Sequence, residues 1–281
     1  MEQKEFDLVV TPDRKWYELN IKEVLKYKDL IFLFVKRDFT AQYKQTILGP
    51  LWYIINPLIS SFISTIIFSN IAHIDSEGVP YFLFYLAGYT LWNYFAICIT
   101  STANTFTANA GIMGKVYFPR LTMPIASVIY AAINMLIVFF MTIITVCIYA
   151  AQGLSINLNW TVVLIPLYMI QTAALGLGVG IIVSSLTTKY RDLSILVGFG
   201  VNLWMYITPV VYPISIAGGI LGKIIMLNPM SPIIQNFKYS LLGIGEIDYL
   251  YWGISIIVTF VIDLFGILLF NKVEKTFMDT V

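Results

Sequence analysis

Six long apolar stretches punctuate this chain, at 51–72, 81–103, 121–150, 161–186, 193–212 and 250–270, and Asp263 is the one ionisable side chain among them. A helix needs about 20 consecutive apolar residues to cross the roughly 30 Å hydrocarbon core of a bilayer. In lipid every backbone N–H and C=O must be satisfied within the protein, which a helix achieves along its own length. These stretches predict an all-α integral membrane fold with six transmembrane helices.

Composition agrees: 58% of the 281 residues are hydrophobic, 12% are charged and mean hydropathy is +0.80, against roughly 25% charged residues in a soluble domain. A net charge of +1 with no basic run excludes a nucleic-acid-binding surface. Cys98 and Cys147 lie in apolar stretches without CxxC spacing and read as two small buried side chains. Residues 1–20 carry acids throughout and no apolar core, so they do not read as a signal peptide.

Lysine and arginine set the expected orientation. Nine precede residue 51, two lie in 104–120, two in 187–192 and two beyond 270, while only two fall in 213–249 and none in 73–80 or 151–160. Cationic loops stay in the cytoplasm, so both termini are expected there. The simplest division is a cytoplasmic N-terminus at 1–50, a six-span membrane domain at 51–270 and a cytoplasmic tail at 271–281.

Two segments depart from simple spans. Residues 20–37 repeat Ile21, Val24, Leu25, Ile31, Phe32 and Val35 near helical spacing, opposite Lys22, Lys26 and Lys28, the pattern of an amphipathic helix lying on the inner membrane surface. Between the fifth and sixth spans, Pro209, Pro213, Gly218, Gly219, Gly222, Pro229 and Pro232 interrupt a largely apolar stretch. Broken backbone at membrane depth predicts short re-entrant helices.

The chemistry that is missing narrows function. His73 is the single histidine, and no GxSxG, DxD or GxxxxGK[ST] run occurs, which argues against metal hydrolysis, histidine-based triads and phosphate loops. Gly176, Gly178 and Gly180 fall inside an apolar span and read as a close-packing face. Asp263 reads as a structural acid, with ion coupling as the alternative. Uphill transport would then draw its energy from a partner polypeptide.

The chain resembles the type 2 ABC exporter permeases that move cell-surface polysaccharides: O-antigen, capsule and teichoic acid. Four stretches carry the resemblance: Lys36-Arg37-Asp38-Phe39 with Gln42 to Trp52; Lys115-Val116-Tyr117-Phe118-Pro119-Arg120 with Pro124; Tyr190-Arg191-Asp192; and Pro209 to Pro213 with Asn228-Pro229-Met230. Gln42 and Thr46 stand where Arg and Ser are common in that family.

The resemblance implies a homodimer of six-span subunits with two separate cytoplasmic ATPases, which would hold the ATP and magnesium; no cofactor is expected in this chain. The expected cargo is a lipid-linked polysaccharide, O-antigen first, with capsule, teichoic acid, a small lipid or a drug as alternatives and an intramembrane glycosyltransferase as the contrasting class. Contact with the ATPase is expected from Arg37, Asp38, Lys115, Phe118, Pro119, Arg120, Tyr190, Arg191 and Asp192. Lys36 and Lys44, with Arg37 and Arg120, are candidates for the lipid pyrophosphate. A sugar hydroxyl moved unpaired into hydrocarbon costs about 4–8 kcal/mol, so the polymer needs a walled path. Trp52, Tyr53, Tyr89, Trp92, Tyr94, Trp204, Tyr206 and Tyr212 near span ends are candidates to line it, although aromatic rings also gather at membrane interfaces generally.

Overall fold

The segment expected as one surface helix forms two, α1 (Ile21–Lys26) and α2 (Lys28–Tyr43), broken at Tyr27. The structure, a computed structural model, describes residues 21–44, 46–113, 115–116, 118–156, 159–187 and 192–277. Of the expected apolar stripe, Val24, Ile31 and Val35 are buried, joined by Phe34, against Phe106, Phe118, Met123, Ile181 and Phe270. Leu25 and Phe32 are each 64% exposed. The helix thus docks one apolar edge on the protein and turns a second outward.

α3 (Trp52–Ser64) is preceded by a 3-10 turn and continues into a π-helical stretch, Thr65–Ile71. Pro57 inside it removes one backbone donor. α4 (Tyr81–Ala103) is the central post, packed by α3 and by α6 (Thr122–Ala151), α7 (Ile165–Thr187), α8 (Leu193–Ile207) and α10 (Met230–Leu242). α5 (Thr105–Met113) leads from α4 into the 115–121 loop; α9 (Gly219–Leu227) precedes α10, and α11 (Tyr249–Phe277) closes on α7. Leu83, Phe84, Leu86, Leu91 and Phe95 of α4 are buried, so here the apolar side chains face protein rather than lipid.

Five helices among the described residues are long and apolar enough to cross a membrane: Gly49–Ile71, Tyr81–Ala103, Thr122–Ala151, Trp160–Thr187 and Tyr249–Val273. The fifth of the expected spans, 193–212, is shorter. α8 has 15 residues, about 22 Å at 1.5 Å per residue. It stops because Thr208, at ψ 141°, is extended ahead of Pro209, as the residue before proline prefers.

Short helices do follow α8, with different surroundings. α9 turns Ile220, Leu221 and Ile224 outward, whereas α10 is buried along nearly all its length against α4, α7 and α11. Lys238 of α10 is 2% exposed; its Nζ donates to the carbonyls of Pro209 (2.8 Å) and Val210 (3.0 Å) and lies 3.4 Å above the Phe84 ring. That amine pins the segment after α8 to α4 and α10.

The glycines of α7 serve close packing. A Cβ on Gly176 would come within 2.6 Å of Cys98, one on Gly180 within 2.6 Å of Thr102, and one on Gly178 would collide with Asp263. Two glycines therefore admit α4 and the third admits α11. Cys98 is buried as expected, but Cys147 is exposed on α6, because its neighbours there, Ile144 and Ile148, face outward too.

Candidate functional site

Two ends of the bundle are distinguished by α4, whose 23 residues span roughly 33 Å. At its start the Tyr81 hydroxyl donates to the Val211 carbonyl; at its finish the Ala103 carbonyl accepts Thr187 Oγ1 at 2.8 Å. The second end carries α2 and the 115–121 loop, and most of the residues expected to meet an ATPase fall there.

Arg37 of α2 reaches its neighbour Asp38, with Nε and Nη2 each 2.8 Å from Oδ1. Partly exposed, this pair contributes at most about 1 kcal/mol; its effect is to hold the guanidinium 4.9 Å above the Phe34 ring. Phe34 in turn lies 5.7 Å from the buried Phe118 ring. Pro119 is buried behind it, and its carbonyl accepts both the Thr122 amide (3.0 Å) and Thr122 Oγ1 (2.8 Å) as α6 begins. Packed rings and a proline-stiffened turn thus connect α2 to the start of α6.

Lys115 is exposed and Arg120 half-buried at the entry to α6; Asp192 is exposed just ahead of α8, its carbonyl accepting the Ile195 amide at 3.1 Å. Tyr190 and Arg191 lie outside the described residues. The structure thus joins Arg37, Asp38, Phe118 and Pro119 in one packed unit.

Beside that unit runs an open cleft of about 910 Å³ between α2 and the side chains of Ile112, Val116 and Phe118. Its floor is apolar, formed by Leu30, Leu33, Phe34, Ile112, Val116 and Phe118, while Lys36, Arg37 and Lys44 stand along it. Lys36 and Lys44 are exposed and make no ion pair among the described residues. Arg120 does not line it. The cleft is thus an apolar trough flanked by Lys36, Lys44 and the Asp38-paired Arg37.

The aromatic candidates separate by environment. Trp92 and Tyr94 are buried within the chain; Trp92 meets Trp204 edge-on at 6.5 Å, and Trp204 donates Nε1–H to Asn228 Oδ1 at 3.1 Å. Tyr53 shares a 2.6 Å hydrogen bond with Tyr130, Tyr89 stacks on Tyr85 at 5.7 Å, and the Tyr212 hydroxyl donates to the Ile207 carbonyl at 3.3 Å. Trp52 and Tyr206 are exposed. Asn56 of α3 and Asn202 of α8, not singled out in the sequence, are also exposed on otherwise apolar helices.

The family model for the ABC-2 type transporter matches residues 29–242, from α2 through the whole of α10. This chain belongs to the ABC-2 type transporter family. Two proteins of Klebsiella pneumoniae, each named O-antigen export system permease protein RfbA, are 30% identical to it over 251 residues, covering 89% of this chain and 94% of their own length. A protein of the same name from Myxococcus xanthus is 24% identical over 220 residues, 78% of this chain and 82% of its own. As an ABC-2 type transporter component, the chain is a multi-pass permease subunit rather than an enzyme, and it works with an ABC ATPase.

Proposed function

We infer that this ABC-2 permease exports a lipid-linked polysaccharide, O-antigen foremost, across the bacterial inner membrane. The observation that carries the reading is similarity over nearly the whole chain to permeases named for O-antigen export. In this reading two copies form the path, two ATPases drive it, and α8 is the short fifth of six spans with α9 re-entrant beside it. Exposed Asn56 and Asn202 support a second copy or a wet conduit, since unpaired amides are costly against lipid. In this reading Trp52, Tyr89, Tyr206 and Tyr212, which are exposed or partly so, meet the sugar.

The basic end faces the cytoplasm, as do both termini. Arg37, Asp38, Lys115, Phe118, Pro119, Arg120 and Asp192, with Tyr190 and Arg191, receive the ATPase stroke, and Lys36, Arg37 and Lys44 take the lipid pyrophosphate while its chain lies in the apolar trough. Deleting the gene should remove the polymer from the cell surface and trap lipid-linked polymer inside; intact surface polysaccharide would refute the reading. Replacing Lys36, Arg37 and Lys44 together with Gln should weaken binding of the lipid-linked sugar at least ten-fold, and unchanged binding would reject the pyrophosphate site.

A further inference from the structure

The opposite end of the bundle holds a second cavity of about 490 Å³, within the roughly 300–1,000 Å³ of small-ligand sites. Glu77, Gln235, Glu246 and Asp248 supply its polar wall, Ile214 and Met226 an apolar one. Nothing in the export reading has used it.

Gln235 is the telling residue. It is 6% exposed, yet its side-chain amide has no hydrogen-bond partner among the described residues, and it lines the cavity. Buried amides are normally paired; this one is reached only from the cavity, where it can donate to and accept from whatever enters. Glu77 points at the same place: Oε1 accepts Ser215 Oγ at 2.7 Å, which leaves Oε2 uncommitted. Gly245, at φ +73°, keeps the space open, because a Cβ there would collide with the Gln235 amide nitrogen and come within 3.5 Å of Glu77 Oε2. Asp248 is held in place by its Oδ1, which accepts the Leu250 and Tyr251 amides at 3.0 and 3.2 Å.

The chemistry of this wall selects its occupant. Carboxylates accept hydrogen bonds and an amide both accepts and donates, whereas Ile214 and Met226 offer contact to C–H groups. No cation lines the cavity, so phosphate or uronate would be repelled. Among the described residues no three acidic, His or Cys side chains are grouped to share a metal ion. A neutral, hydroxyl-rich ring with an apolar face fits each requirement.

We propose that this cavity is a saccharide subsite on the outer side that holds a neutral sugar unit of the polymer as it emerges, and discriminates against anionic sugars. The proposal rests on the polysaccharide reading above. It is tested with the full-length permease and its ATPase in nanodiscs. The probe is the lipid-free oligosaccharide released from the surface polysaccharide that the deletion strain lacks, and binding is read by saturation-transfer NMR.

Wild-type protein should bind the probe, and Gln235→Leu, which removes the amide at similar volume, should bind about ten-fold more weakly, the scale of one or two lost hydrogen bonds. Its thermal stability should not fall, since the amide has no protein partner to lose. Glu77→Gln keeps the shape, should also weaken binding and stands in if the first variant misfolds. Trigalacturonic acid should not compete. Absent binding, equal binding by wild type and both variants, or effective competition by trigalacturonic acid would each overturn the subsite. Surface polymer that survives gene deletion would instead refute the export reading, so the two failures are distinguishable.

Discussion

Lys238 shows how much a single side chain carries here. Counted along the sequence it belongs with the outer-loop cations; in the fold it is buried, with two carbonyls and an aromatic ring as its shell. Its acceptors lie 28 and 29 residues away, across two turns and a helix, and no local pattern announces such a contact. Lys238→Met should cost about 2 kcal/mol or more, because both buried carbonyls lose their donor; a thermal unfolding midpoint equal to wild type would contradict the pin. Phe118 was legible by contrast, since it sits in a recognisable FPR run. Phe118→Ala should cost about 3–4 kcal/mol through the cavity against Phe34, and Arg120→Ala should lower transport-coupled ATP hydrolysis in the assembled complex while leaving folding intact.

Among elements, α7 and α8 mark what periodicity and hydropathy resolve. The GxGxG face of α7 was readable as a packing surface, but not that its glycines divide between α4 and α11, which depends on how the helices cross. Gly178→Leu should destabilise the purified protein by about 1–3 kcal/mol by forcing α11 away, whereas Gly198→Leu, on an open face of α8, should leave the stability of one chain unchanged. Equal effects of the two in a thermal shift measurement would refute this packing. The end of α8 was signalled by Pro209, yet Val210 to Tyr212 prolong the apolar run, so the stretch looked longer than the helix. The stretch holding α10 read only as short re-entrant helices; that its apolar residues face α4 and α7 was not legible, because a one-dimensional reading cannot tell protein from lipid as the apolar neighbour.

For the whole molecule, charge and exposure organise the account. A cationic cleft beside α2 and an acidic cavity beside Glu77 lie at opposite ends of α4; in the proposed reading headgroup uptake falls to the first and sugar release to the second. Exposed Asn56 and Asn202 belong to this scale, since one chain alone leaves both amides uncovered on membrane-length or apolar helices. In a Cys98→Ala, Cys147→Ala background, Asn56→Cys and Asn202→Cys should react with a membrane-impermeant maleimide or cross-link two copies, and Ile144→Cys should do neither; protection of all three alike would argue against a shared conduit. The central claim, ATP-driven polysaccharide export, is tested most directly in proteoliposomes holding this chain with its ATPase. Lipid-linked polysaccharide added to the ATPase side should move to the opposite leaflet with ATP and stay without it; hydrolysis of ATP with the polysaccharide left where it was added would contradict the account.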